Sequence, residues 1–179
     1  MHTLIAPTAA PTLEVIRGIR DDQLTALTPC TEFDVRGLLD HLRYWAPSLA
    51  GAGRKEIVEP GTSDDLEKAL ADLVEAWSAP AAWEGVTRLG EPMDLPASMI
   101  GGMVLGEVVV HGWDLAKATG QPVSWPDDVL QFLVSDVAGV AEQGRRMGLF
   151  GPEVAVPAEA RAIDRIVGLT GRDPAWSAA

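Results

Sequence analysis

Between Pro96 and Gly120 the chain carries apolar side chains on nearly every face of one long helical pattern, among them Met99, Ile100, Met103, Val104, Val108 and Val110. Pro96 suits a first helical turn and Gly120 suits a stop. A helix that is apolar all round cannot lie on a surface, so this one has to be central, with other elements wrapped about it. The rest of the chain must then supply amphipathic partners.

It does so between Gly and Pro punctuation. A first helical stripe is expected from about Thr12, through Leu13, Ile16 and Ile19 to Leu24 and Leu27. Thr28-Pro29-Cys30-Thr31 is a connector, because Pro29 lacks an N–H and restricts Thr28. Asp34 is a good N-cap for a second helix whose apolar stripe runs Val35, Leu38, Leu42, Trp45 and Leu49 before Gly51 and Gly53. Ser63 is expected to cap a third helix with Leu66, Leu70, Leu73 and Trp77 on one face. The segment from Ser78 to Pro96 is irregular, with a short strand expected at Val86–Leu89. A further helix follows Pro126, and a short one around Ile163, Ile166 and Val167 ends before Gly171. Several β-branched runs bounded by turns would be needed for an α/β fold, and they are missing. The expectation is an all-α four-helix bundle with a short extra C-terminal helix, one domain over residues 1–179.

Charge narrows the function. The chain holds 26 acidic against 14 basic residues, a net charge of −12. Such a surface repels phosphate backbones and anionic lipid, which disfavours nucleic-acid and membrane partners and tolerates a cation or small molecule. The pair Arg145-Arg146 suits the C-terminal end of a helix and is too small for an RNA-binding patch. One cysteine, Cys30, precludes an intramolecular disulfide. Its connector offers no evident partner for a nucleophile, so a structural thiol is expected. With no basic leader ahead of Ala6-Pro7 and no membrane-length apolar run, a soluble, cytoplasmic protein is expected.

The chemistry concentrates on the central helix. At about 100° per residue, Glu107, His111 and Asp114 fall on the same stripe as Ile100, Met103 and Val104. A carboxylate in that position must be paired, neutralised or bound to a cation. Glu107 and His111 are one turn apart and face one spot. His41 lies at the edge of the second helix's stripe, beside Leu38 and Trp45. One carboxylate and two imidazoles form a three-ligand set that leaves coordination positions open, as catalytic metal sites do. The set suits Zn²⁺ first, with Ni²⁺, Fe²⁺ or Mn²⁺ as further candidates. Asp114, one turn beyond His111, is placed to accept a hydrogen bond from its ring. Spacing alone is equally compatible with a Glu–His pair satisfied inside a partly wet core.

Two segments carry a resemblance. Thr28-Pro29-Cys30-Thr31-Glu32-Phe33-Asp34-Val35-Arg36-Gly37-Leu38-Leu39-Asp40-His41-Leu42 resembles the TPCxxWDVRxLxxHL opening of actinobacterial DinB-like proteins, with Phe33 in place of the usual Trp. Gly106 to Ala116 resembles their E-x-x-x-H-G-W-D-L-A segment, and the tail from Phe150-Gly151-Pro152 to Thr170-Gly171-Arg172-Asp173-Pro174 is similar to the ending of one branch. These proteins group with the metal-binding domain of mycothiol-dependent maleylpyruvate isomerase. The resemblance implies a DinB-like bundle with a divalent metal on His41, Glu107 and His111. The isomerase itself carries an additional C-terminal domain, so its particular activity is not transferred. What it implies is a metal-dependent enzyme, transferase- or isomerase-like, in which mycothiol as cosubstrate attacks a small electrophile. A non-catalytic metal- or ligand-binding bundle is the alternative; a dimerising structural bundle, and hence a homodimer, is a third. Trp45 and the Ser78–Pro96 segment are expected near the bound thiol's sugar portions.

Overall fold

The computed structural model describes residues 1–90 and 92–178. Six helices account for most of it: α1 (Ile5–Arg17), α2 (Val35–Gly53), α3 (Leu66–Trp77), α4 (Ala97–Thr119), α5 (Asp127–Arg146) and α6 (Ala162–Leu169). The only strands among the described residues are two antiparallel pairs of residues, β1 (Val86–Thr87) and β2 (Leu95–Pro96), so the strand expected at 86–89 shrinks to a clip before α4. Helices α1, α3, α2 and α4 pack in that cyclic order into a four-helix bundle, α5 lies against α4, and α6 against α5. The architecture is the expected all-α, DinB-like bundle with an added C-terminal helix.

Local chemistry sets the helix ends. The Asp34 carboxylate accepts from the Gly37 N–H at 2.7 Å and starts α2 where the sequence places it. At α3 the cap is Asp65, which accepts from Lys68 N–H at 3.0 Å; Ser63 sits two residues upstream and its hydroxyl bonds to Asp65 instead. Gly120 stops α4 in the left-handed conformation, φ +68°, that favours glycine.

The first helix departs from expectation. It begins at Ile5, not near Thr12, and ends at Arg17, so Leu24 and Leu27 lie outside it and Leu27 is 75% exposed. Pro7 falls in the first turn, where its missing N–H has no helical partner to lose, and Pro11 is tolerated inside. The stripe Ile5, Ala9, Thr12 and Val15 is buried against the bundle, and the Thr12 hydroxyl donates to the Val108 carbonyl at 3.0 Å. That approach needs Gly112, because a Cβ there would sit 2.4 Å from Thr12 Oγ1.

Helix α4 is central as required. It is long and apolar enough to cross a membrane, but 78% of its most apolar window is buried inside the protein. Ile100, Val104, Leu105, Val108 and Val109 are buried, while Met99 and Met103 reach the surface, Met103 contrary to its place on the expected stripe. Trp77 is fully buried and donates its indole N–H to the Leu49 carbonyl at 2.8 Å. Trp83 packs edge-on against it, with ring centroids 5.2 Å apart.

Candidate metal centre

Helices α2 and α4 pack side by side and bring His41 to Glu107. The Asp34 cap fixes the start of α2, and the burial of Leu38 and Leu42 fixes its rotation, which turns His41 towards α4. His41 Nε2 lies 2.6 Å from Glu107 Oε1, and His111 Nε2 lies 3.3 Å from the same oxygen. The two imidazoles meet edge to face, centroids 5.1 Å apart, and Phe33 packs tilted against His41 at 5.2 Å. One donor atom from each of His41, Glu107 and His111 falls within 4.8 Å of the other two.

Behind His111 stands Asp114, fully buried, whose Oδ2 is 3.0 Å from His111 Nδ1. A carboxylate beside an arginine only accepts, so Nδ1 carries the hydrogen and Nε2 is the ring atom turned towards Glu107. The arginine is Arg172, itself buried: Nη2 donates to Asp114 Oδ2 at 3.1 Å, and Nη1 donates to the Thr170 carbonyl at 3.1 Å. With both imidazoles neutral, Glu107 and Asp114 outnumber Arg172 by one negative charge, a balance that favours a cation. The donors are also the right types, two borderline nitrogens and one hard oxygen. The residues therefore fit a divalent ion.

Without an ion, protons fill that role. Burial pushes the Glu107 carboxyl up, but the charge of His111 and hydrogen bonds from both histidines outweigh it, and the group lies well below the usual carboxylate range. Burial pushes His111 down, yet the Glu107 charge and the Asp114 hydrogen bond outweigh that and lift it to about 9. The Cys30 thiol is half-buried and pushed up by burial against the pull of Arg172, so it stays protonated near neutral pH.

A surface concavity of about 310 Å³ adjoins the centre through Phe33. Its walls are the connector from Leu27 to Asp34, including Cys30, and Trp176 from the C-terminal tail. Trp45 is partly buried and stacks edge-on with Tyr44, away from those walls. The segment between Ser78 and Pro96 lines a separate, smaller hollow of about 130 Å³ with Lys55. The structure brings His41, Glu107, His111 and Asp114 together, lines the concavity beside them with the connector and Trp176, and adds Arg172, which the sequence did not single out. The signal for Arg172 was present in Thr170-Gly171-Arg172-Asp173-Pro174, where a cation follows an apolar helix at a glycine turn. Nothing local says that it folds back onto a carboxylate 58 residues earlier.

Residues 6–116 match the family model described as the mycothiol maleylpyruvate isomerase N-terminal domain, a span that includes His41, Glu107, His111 and Asp114 and leaves out Arg172. The chain is 28% identical over 165 residues to an uncharacterised protein of Mycobacterium tuberculosis strain H37Rv, covering 88% of this chain and 90% of that one. It is equally similar to an uncharacterised protein of strain CDC 1551. No solved structure matches. With well over half its length matched, this chain belongs to the mycothiol maleylpyruvate isomerase N-terminal domain family.

Proposed function

We propose that the protein holds one divalent ion, Zn²⁺ first among candidates, on His41, Glu107 and His111, and uses it for thiol chemistry with a small electrophile. The observation that carries this reading is the convergence of three ligand atoms within 4.8 Å, from two helices, beside a largely buried central helix. His41 and His111 contribute neutral imidazole nitrogens, and Glu107 contributes the negative charge that offsets a dication. Asp114 holds the His111 ring so that Nε2 faces the site. When bound, the ion supplies a positive charge that keeps a coordinated thiol in its nucleophilic thiolate form near neutral pH. Phe33 shields one side of the centre from water, and the concavity between the connector and Trp176 offers room for the body of a thiol ligand. Family membership points to mycothiol as that thiol. The attack would then give a thiol transfer or a thiol-assisted isomerisation, with no protein side chain required as nucleophile. A single protonated cysteine and a low-molecular-weight thiol cosubstrate both suit a reducing cytoplasm.

The test is a Co²⁺-substituted protein titrated with mycothiol. A thiolate charge-transfer band supports the reading, and consumption of thiol with model electrophiles establishes turnover. A Co²⁺ spectrum indifferent to millimolar mycothiol refutes the thiol chemistry and leaves a bundle that only binds an ion. Failure to take up any divalent ion leaves a Glu–His cluster with a structural role, which the mutual contacts at 2.6 and 3.3 Å would then explain.

A further inference from the structure

Arg172 is the least expected member of the cluster. It follows α6, outside the family-matched span, and the residue is only 8% exposed. The tail is anchored on both sides of it. The Arg172 N–H donates to the Val167 carbonyl at 2.9 Å, and Lys117 on α4 donates to the Pro174 carbonyl at 3.3 Å. The side chain has one acidic partner, Asp114, reached by Nη2 at 3.1 Å and by Nε at 3.4 Å to both oxygens. A buried carboxylate held by a planar guanidinium has little freedom to rotate. Its Oδ2 is then fixed where the His111 Nδ1–H needs an acceptor. Groups that accept from the far nitrogen of a ligating histidine orient the ring and set its basicity.

We propose that Arg172 is a positioning residue of the metal centre: through Asp114 it holds the His111 imidazole with Nε2 turned to the ion, so that the C-terminal tail sets the cation affinity of the site. The inference rests on the metal reading above, and the chain Arg172–Asp114–His111 links the tail to the α2–α4 interface in two contacts. A purely structural arginine, there to seat the tail, would affect folding but not His111.

The experiment compares wild type with Arg172→Gln and Arg172→Lys in the full chain. Zn²⁺ affinity is read by competition with a chromophoric chelator. The His111 Nδ1–H is read by NMR as an exchange-protected ring proton, assigned by its loss in His111→Ala. Arg172→Gln should lose about 10- to 100-fold in affinity, the range typical when such an outer partner is removed. Arg172→Lys, which keeps the charge but not the fork, should lose less. The ring proton should lose protection in Arg172→Gln in both apo and loaded protein, with helix content unchanged. Unchanged affinity, or a ring proton still protected in Arg172→Gln, overturns the proposal; should that variant not fold, Arg172→Lys is judged by the same two readings. A wild type that takes no Zn²⁺ overturns the metal reading alone, because the ring proton of the apo protein still decides what Arg172 does to His111.

Discussion

An ion entering this centre has to displace a proton, and the structure says which one and over what pH range. His111 sits between Glu107 and Asp114, and its imidazole is lifted to about 9 from an ordinary value of 6.5. At pH 7 only about 1% of the apo protein therefore offers a neutral His111, so apparent affinity there should be ~100-fold, or ~2.7 kcal/mol, below its value at high pH. Between pH 7 and 9 the affinity should rise by about tenfold per pH unit. Apo stability should move the other way. A raised folded pKa contributes stability that is fully present below 6.5 and is lost as pH climbs through about 9, so the apo protein weakens over the range in which the ion binds better. Glu107 has the opposite sign: its contribution is present above about 4.5 and is lost only as pH falls towards its depressed folded value. Calorimetric titration of Zn²⁺ in two buffers of different ionisation enthalpy would show about one proton released per ion at pH 7. No proton release at pH 7, together with an affinity flat from pH 7 to 9, would refute the assignment of His111 as a ligand that starts protonated.

Other changes test the remaining links. His41→Ala and His111→Ala should each abolish stoichiometric metal in protein analysed by elemental methods, since the two donors that remain are too few for tight retention. Glu107→Gln keeps the shape but removes the balancing charge, so metal affinity should drop sharply while circular dichroism is unchanged. In the apo protein, treating Glu107 as an unpaired carboxylate would predict a gain from Glu107→Leu; its contacts with both histidines reverse that sign. Denaturation at pH 6 should show a loss of about 1–3 kcal/mol, because His41 and His111 lose their acceptor. Gly112→Ala forces a methyl to within 2.4 Å of Thr12 Oγ1 and should cost about 1–3 kcal/mol in urea unfolding by prising α1 from α4.

Much of this molecule is written in local periodicity. The all-round apolar character of residues 97–119 demands a buried helix, and α4 is one. The four-residue spacing of Glu107 and His111 places them over one spot in any helix, and the three further residues to Asp114 put an acceptor behind the ring. Asp34 starts α2 because its side chain satisfies an N–H three residues on, a bond needing nothing from the rest of the chain. Where local signals competed, packing decided. Pro7 and Pro11 look like breaks, but α1 gains enough by burying Ile5, Ala9, Thr12 and Val15 to form across them. Met103 shares the phase of Val104 and is nevertheless at the surface, while Gly102 beside it packs under Asp136 of α5. The site needed tertiary structure most. Periodicity reports which side chains share a face of one helix, and says nothing about which face of another helix will meet it. That His41 lands 2.6 Å from Glu107, and that Arg172 returns from beyond α6 to Asp114, depends on how the helices pack and where the tail docks, and those contacts join residues 66 and 58 positions apart in the chain.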